Sequence, residues 1–487
     1  MTLNHLLDGL SCRYGSAFAP GMEGADVEIK EITCDSRQAE QGSVFFCIKG
    51  VKSDGHDYAE KAAELGATAI VTERDLGLGN QIIVDDTHEA WGVASANFFG
   101  NPARRMKLLG VTGTNGKTSI TYITKQILEQ AGKTVGLIGT IHNEIGDMVI
   151  PAKHTTPDPY MLHAMLARME QAGCEYVVME VSSHALEQRR VAGCRFAVAA
   201  FTNLTQDHLD YHGDMEHYYA AKKKLFDVCD TAVVNVDDMY GRKLAGELAC
   251  PVLTFSCERD EADYAAHNMK YTARYSSFVL LHNNELMRVK FPMPGAFSVS
   301  NALAAACMCT AVGIPMEDVV AGLNGCRGVP GRIEILDTGT TYTVIRDYAH
   351  SPDGLEKVLT AVREFAPGRI VVLFGCAGNR DRTKRPVMAE IAARLADFCI
   401  LTSDNPRDED PARIVEDAVP GFRAHKTPCK VIVDRYDAIK WALENCKDDD
   451  VLVLAGKGHE DYQVLGHGTI FFDEKVIVAE LLEKMRK

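Results

Sequence analysis

Residues 107–132 read KLLGVTGTNGKTSITYITKQILEQAG, and this stretch decides the fold. KLLGVTG (107–113) is an apolar run of the length of a buried strand. SITYITKQILEQAG (119–132) repeats its apolar residues at helical spacing, with Ile120, Ile123 and Ile127 on one face. In GTNGKT between them, glycines let backbone N–H groups turn inward on a phosphate, and the helix N-terminus adds its dipole. Lys117 reaches terminal phosphates and Thr118 offers a hydroxyl oxygen to Mg²⁺. A strict phosphate loop has Gly at position 111; here Val111 stands there and Gly110 comes one place early. The strand–loop–helix setting still implies ATP or GTP binding, without saying what the nucleotide drives.

Downstream, TVGLIG, EYVVMEVS, FAVAAFTNL and TAVVNVD are near-continuous apolar strands, the pattern of a parallel sheet covered on both faces. Upstream, SVFFCIKG (43–50) reads as a strand, YAEKAAELGA (58–67) as a helix and TAIVTE (68–73) as a strand, before GNPARRM (100–106) breaks the chain. GCRGVPGR (325–332) closes the middle region. TVIRDYA, RIVVLFGCAG, FCILTSD and DVLVLAG then resume the alternation, with helical segments such as PVMAEIAARLAD between them. The expected class is α/β in three domains, 1–100, 101–332 and 333–487, the central one a P-loop ATPase-type parallel sheet.

With 46% hydrophobic and 24% charged residues over 487 positions, the chain has the composition of a globular protein with a large core. A net charge of -15 argues against a broad nucleic-acid surface. The 15 cysteines are odd in number and show no CxxC pair, as expected of free thiols in a reducing compartment. MTLNHLLDGL lacks the basic-then-apolar layout of a signal peptide, and no apolar run has the length of a membrane span. A cytoplasmic location and small-molecule partners are expected.

Three further segments carry candidate chemistry. EYVVMEVSSH (175–184) puts Glu180 at the end of a buried strand, where a carboxylate needs a partner or a metal. FTNLTQDHLDYHG (201–213) puts Asp207, His208, Asp210 and His212 just past another strand end, where open α/β sheets bind ligands. Each has a plainer reading alone, Glu180 as a salt-bridged carboxylate and His208 as a hydrogen-bonded loop residue. In YYAAKKKLF (218–226), Lys222 shares a face with Tyr218, Tyr219, Leu225 and Phe226, whereas Lys223 and Lys224 project elsewhere. Desolvation there would favour the neutral amine; the ordinary alternative is a stem that snorkels to water.

TGTNGKT, MEVSSH, DHLDYHG followed by AAK, PGR (330–332), DYAHSPDG (347–354), GNRDRTKRP (378–386), DNPR (404–407) and GKGHEDYQ (456–463) occur in the order found in Mur ligases. The chain resembles that family over essentially its whole length. DSR, HTTPDP (154–159) and DNPR with GKGHE resemble the branch that adds the third peptide residue.

The resemblance implies an N-terminal UDP-sugar-binding domain, a central ATP-binding domain and a C-terminal Rossmann-like domain carrying the incoming amino acid. It implies an ATP-dependent ligase that adds meso-diaminopimelate to the D-Glu side-chain carboxylate of UDP-N-acetylmuramoyl-L-Ala-D-Glu, through an acyl phosphate, in peptidoglycan synthesis. Ser36, Thr155, Thr156, Ser182, Gln188 and Arg190 would then contact the UDP-sugar. Gly113, Thr114, Asn115, Gly116, Lys117, Thr118 and Ser119 would hold ATP phosphates, with Asn301, Arg332 and Asp347 nearer the nucleotide. Thr118, Glu180, His208 and Lys222 would form the Mg²⁺ site, Lys222 as a carbamate made with CO₂, which replaces the snorkelling reading. Arg380, Asp404, Asn405, Pro406, Arg407, Gly456 and Glu460 match the amino-acid pocket. Two departures are Ser119, where Thr is more usual, and AGN before Arg380, where GGD is common. Rival readings are a lysine-adding ligase of the same step, a folylpolyglutamate synthetase, and a P-loop switch without ligase chemistry.

Overall fold

A computed structural model describes residues 1–17, 27–50, 53–146 and 148–486; the side chain of Asp210 lies outside the described residues. The chain forms two compact units, residues 1–254 with 307–315, and residues 255–306 with 316–487. Domain limits at 100 and 332 divide it differently.

The first unit opens with a sheet in the order Cys12–Tyr14, Gln81–Val84, Ala69–Thr72, Ser43–Phe46 and Glu31–Thr33, parallel except for the Cys12–Tyr14 edge. Every residue of Ser43–Phe46, Ala69–Thr72 and Gln81–Val84 is buried, as apolar parallel strands covered on both faces require. The strand expected over 43–50 ends at Phe46, because the chain turns at Ile48, whose N–H donates back to the Phe46 carbonyl. Trp91, on the helix Thr87–Phe98 behind this sheet, stacks on Tyr160 at 6.0 Å. That contact packs the sheet onto the helix Pro159–Gln171.

The unit's other sheet carries the parallel strands Val135–Ile138, Tyr176–Glu180, Lys107–Thr112, Phe196–Phe201 and Cys229–Asn235, in that order. An antiparallel hairpin, His142–Ile145 and Met148–Pro151, extends the Val135–Ile138 edge. Lys107–Thr112 lies centrally, with Val111 opposite both Glu180 and Ala200. The connection out of it runs toward Val135–Ile138, and the one out of neighbouring Phe196–Phe201 runs the other way to Cys229–Asn235, so a crevice opens at the C-terminal ends of these two strands. The helix that follows runs Lys117–Gln130, two residues ahead of the expected start.

In the second unit Glu334–Leu336, Thr343–Asp347, Val451–Ala455, Ile370–Cys376, Phe398–Ser403 and Cys429–Val431 form a sheet, parallel except for its first strand. The four strands read as apolar runs in this region are its centre. The same unit holds an antiparallel meander, Tyr264–Tyr271, Ser276–His282 and Glu285–Phe291, which periodicity did not reveal. Among the described residues no helix is long and apolar enough to cross a membrane.

Candidate active site

The phosphate loop leaves the sheet after Thr112. Gly113 has φ +145°, and a Cβ there would sit 1.8 Å from Thr202 Oγ1. Only glycine lets the loop pass so close to the neighbouring strand's end. Asn203 pins the outer side: its carbonyl accepts from Thr114 N–H at 2.8 Å and its side-chain oxygen from Asn115 N–H at 3.0 Å. Gly116 caps the helix, and Lys117 folds back to donate to the carbonyls of Gly113 and Thr114 at 2.8 and 2.9 Å.

Lys222 enters the same loop from the helix Met215–Lys223. Its side chain is buried, and Nζ donates to the Gly113 carbonyl at 2.8 Å and lies 4.5 Å from the Tyr218 ring centroid. Burial, then the nearby Lys117 charge, pushes its ammonium well below the usual lysine range. Lys223 and Lys224 instead pair with Glu247 and Glu187 at the surface. The helical-face reading therefore separates the three lysines correctly.

Glu180 is buried and accepts from Thr118 Oγ1 at 3.0 Å, Thr140 N–H at 2.7 Å and Thr140 Oγ1 at 3.1 Å. Thr140 Oγ1 lies 3.0 Å from Thr155 Oγ1, and Thr156 Oγ1 donates to the Glu180 carbonyl at 2.9 Å. Ser182 N–H donates to Thr156 Oγ1 at 3.1 Å, and Arg190 reaches the Thr156 carbonyl at 2.9 Å and the Gln188 side-chain oxygen at 2.7 Å. Five of the six UDP-sugar candidates thus form one polar patch joined through Glu180 to the phosphate loop. Ser36, buried in the turn Ser36–Gln38, makes no side-chain hydrogen bond to that patch among the described residues. Cys34, two residues before Ser36, has its thiol pushed up by burial and then by the charge of Asp158.

His208 has φ 53° and a half-exposed ring, with Nε2 3.4 Å from Asp207. His184 bridges it to His212, at 4.9 and 5.4 Å between ring centroids. His212 is buried against Tyr218, bonds Ser183 Oγ at 2.9 Å, and is pushed down to about 4 by burial, with His184 and Lys222 adding to it. Among the described residues no three His, Cys, Asp or Glu side chains are grouped to hold a metal. Of the Mg²⁺ candidates, Thr118 and Glu180 touch directly, Lys222 meets the loop through Gly113, and His208 stands off.

Asn301, Arg332 and Asp347 belong to the second unit. Asn301 is buried on the helix Ala296–Ala311. Asp347 accepts from the N–H groups of Ile333 and Ala349 at 2.7 and 2.9 Å; burial raises its pKa against the opposing Arg332 charge. The Arg332 guanidinium lies 5.0 Å from the Tyr348 ring.

The amino-acid candidates gather where the strands Phe398–Ser403 and Val451–Ala455 end. Gly456 has φ +117°, and a Cβ there would come 2.9 Å from Asp404 Oδ2, so the two loops meet only with glycine. Asn405 donates to Glu460 Oε2 at 3.0 Å. Arg407 is half-buried with φ 54°, its N–H bonded to the Val464 carbonyl at 3.0 Å and Nη1 to the Gly378 carbonyl at 2.9 Å. Arg380 is exposed, and its guanidinium donates to the carbonyl of the preceding Asn379. Below the pocket, the buried Arg435 donates to the carbonyls of Ser403 and Ala455 at 3.2 and 2.8 Å and pairs with buried Glu474. Sequence reading missed Arg435, Asn203, Thr140 and the buried Lys457. Lys457 stands inside a quoted motif, yet a lysine between glycines reads as a solvated charge.

The description of the Mur ligase middle domain matches residues 111–309, that of the Mur ligase glutamate ligase domain 331–458, and that of the Mur ligase family catalytic domain 28–99. A protein of Clostridium acetobutylicum named UDP-N-acetylmuramoyl-L-alanyl-D-glutamate–2,6-diaminopimelate ligase 1 is 47% identical over 466 residues, covering 94% of this chain and 96% of that protein. The chain belongs to the Mur ligase family. A Caldanaerobacter subterraneus ligase of the same name is 44% identical, covering 95% and 96% of the two chains. A solved diaminopimelate ligase structure superposes with a TM-score of 0.72 at 32% identity, covering 94% of this chain and 96% of that one. A folylpolyglutamate synthase from Mycobacterium tuberculosis, at 17% identity and a TM-score of 0.60 over 82% of this chain and 95% of its own, shares the fold alone. A Mur ligase is an ATP-dependent, amide-forming enzyme, so the expected α/β fold class and enzyme class both hold.

Proposed function

We propose that this Mur ligase joins meso-2,6-diaminopimelate to the D-Glu side-chain carboxylate of UDP-N-acetylmuramoyl-L-Ala-D-Glu, using ATP and Mg²⁺, in cytoplasmic peptidoglycan synthesis. The observation that carries this reading is 47% identity over nearly the full length to a relative whose name states the UDP-linked dipeptide and 2,6-diaminopimelate. Three family descriptions matching in succession support domains at 1–100, 101–332 and 333–487 for UDP-sugar, ATP and amino acid.

A carboxylate is a poor electrophile, so the D-Glu carboxylate oxygen first attacks the γ-phosphorus of ATP, giving an acyl phosphate and ADP. The amine of the incoming amino acid then attacks the acyl carbon, an amide forms and phosphate leaves. Residues Gly113 to Ser119 hold the phosphates, and the Lys117 ammonium offsets charge on the phosphoryl group. Asn301, Arg332 and Asp347 serve the rest of the nucleotide. Ser36, Thr155, Thr156, Ser182, Gln188 and Arg190 hold the UDP-sugar. Arg380, Asp404, Asn405, Pro406, Arg407, Gly456 and Glu460 orient the amino acid.

The Thr118 hydroxyl and the Glu180 carboxylate fit a hard cation, which prefers oxygen ligands. An ammonium at Lys222 does not fit, because it has no lone pair to offer. Reaction of the neutral amine with CO₂, releasing one proton, gives a carbamate whose oxygens do. Thr118, Glu180, carbamylated Lys222 and His208 would hold Mg²⁺, which when bound supplies charge stabilisation to the phosphates.

Phosphate release measured with ATP and UDP-N-acetylmuramoyl-L-Ala-D-Glu across an amino-acid panel tests the reading. Release should require the UDP-dipeptide and be strongest with meso-diaminopimelate. Equal or better turnover with L-lysine refutes the substrate, and release dependent on a folate overturns the reaction.

A further inference from the structure

Lys457 has no exposed side-chain surface, although it sits between two glycines at the end of the strand Val451–Ala455. A buried ammonium is costly unless its hydrogens are spoken for. Here Nζ donates to Asn405 Oδ1 at 3.1 Å and to Glu460 Oε2 at 3.1 Å, with Asp404 Oδ1 at 3.7 Å.

These bonds fix the Asn405 amide. Its oxygen accepts from both Lys457 Nζ and the Val464 N–H, at 3.1 and 3.0 Å, so its NH₂ group must turn the other way. That NH₂ meets Glu460 Oε2 at 3.0 Å. Were the amide flipped, two donors would face the Lys457 ammonium and Val464 N–H. Lys457 also sets the charge of the cluster. Apart from the pocket's arginines, Asp404 and Glu460 bring two carboxylates to this cluster and Lys457 one ammonium, so the cluster itself keeps one negative charge to meet a substrate ammonium.

We infer that Lys457 is a positioning and specificity residue: it orients Asn405 and Glu460 and holds the pocket at a charge suited to a zwitterionic amino acid rather than a cationic one. This rests on the proposed amino-acid pocket. Diaminopimelate carries two ammoniums and two carboxylates, whereas lysine has one carboxylate fewer and a net positive charge. Without Lys457 the pocket gains a negative charge and turns toward the cation.

The test uses the full chain in a phosphate-release assay, comparing the unmodified enzyme with Lys457→Met and Lys457→Arg. Lys457→Met should raise KM for diaminopimelate about 10- to 100-fold. Its KM for ATP should stay within about twofold, a split that general loss of structure does not give. L-lysine, read by competition against diaminopimelate, should gain about 10-fold in relative affinity. Lys457→Arg keeps the charge and should recover most of that discrimination. If Lys457→Met gives no ADP-dependent thermal shift, Lys457→Gln, which keeps one donor to Asn405 without the charge, takes its place. An unchanged KM for diaminopimelate in a variant that binds ADP overturns the inference, as does equal loss for both amino acids. Failure of the unmodified enzyme to release phosphate with diaminopimelate brings down the pocket itself.

Discussion

Lys117 and Lys222 donate to one acceptor, the carbonyl oxygen of Gly113, each at 2.8 Å. Burial, with the charge of Lys117 adding to it, destabilises the proton on Lys222. A neutral amine there is a nucleophile toward CO₂. Lys222→Ala should keep the fold and ADP binding but lose about 100-fold or more in phosphate release. A short carboxylate in the buffer should restore part of it by standing in for the carbamate. Unchanged activity in the alanine variant removes Lys222 from the chemistry.

Gly113→Ala probes the loop's approach to the sheet. The new Cβ would meet Thr202 Oγ1 at 1.8 Å, and the residue would hold φ +145°. The loop must shift, so ATP affinity should fall at least about 10-fold while UDP-dipeptide binding changes little. Calorimetric titration with each ligand separates the two, and unaltered ATP binding would show that the loop has slack at this point.

His163 gives a pH dependence. Its ring is buried, with Nε2 3.0 Å from the Ala192 carbonyl, and burial pushes it from 6.5 down to about 4. Between these values the unfolded chain binds the proton and the folded one does not, so stability rises with pH across that window. The cost is absent above the unfolded value, grows as pH falls, and levels off below about 4, reaching about 3 kcal/mol. His163→Gln should therefore lose less thermal stability than the unmodified chain between pH 7 and pH 5. Parallel melting-temperature profiles would count against a buried neutral histidine.

The sequence made the parallel strands legible because covered strands are continuous apolar runs, as in Val451–Ala455. It hid the meander Tyr264–Tyr271 to Glu285–Phe291, whose Glu285–Phe291 strand mixes exposed and buried positions without an apolar run. Lys222 was separable from its neighbours because helical geometry sorts three adjacent lysines onto different faces. Lys457 and Arg435 were not, since Asn405 and Asp404, which meet the first, and Ser403, Ala455 and Glu474, which meet the second, lie 20 or more residues away in the chain. Patterning reports what a residue's own element does, and a buried cation is explained only by other elements.

Arg435 and Glu474 form a fully buried pair, and Glu474 Oε2 has no hydrogen-bond partner among the described residues. Arg435→Met strands that carboxylate and frees the carbonyls of Ser403 and Ala455, at a cost of about 3–5 kcal/mol. The double variant Arg435→Met, Glu474→Met should regain most of the stability, because burying no charge is cheaper than burying one. Equal melting temperatures for single and double variants would mean that the carbonyl bonds, not the ion pair, hold the strand ends together.

Substrate choice turns on Arg407. Lysine and meso-diaminopimelate share the α-amino acid end and differ at the far end, where diaminopimelate adds a carboxylate. A planar, always-charged guanidinium grips a carboxylate in bidentate fashion. Arg407 is not a loose surface charge: its backbone is bonded to Val464, Nη1 to the Gly378 carbonyl, and buried Pro406 precedes it. One nitrogen is anchored, and the fork is held in place before a substrate arrives, which limits the entropy lost on binding. Lysine bound there would leave the guanidinium without an anion and bring an ammonium near it, a penalty of about 2–5 kcal/mol. Arg407→Ala should raise KM for diaminopimelate strongly, leave ATP binding near normal, and narrow the gap between the two amino acids. Arg407→Lys should recover little, because a point charge cannot reproduce the fork. Should Arg407→Ala weaken diaminopimelate and L-lysine alike, Arg407 would be a support for the loop, and recognition of the second carboxylate would belong to another residue.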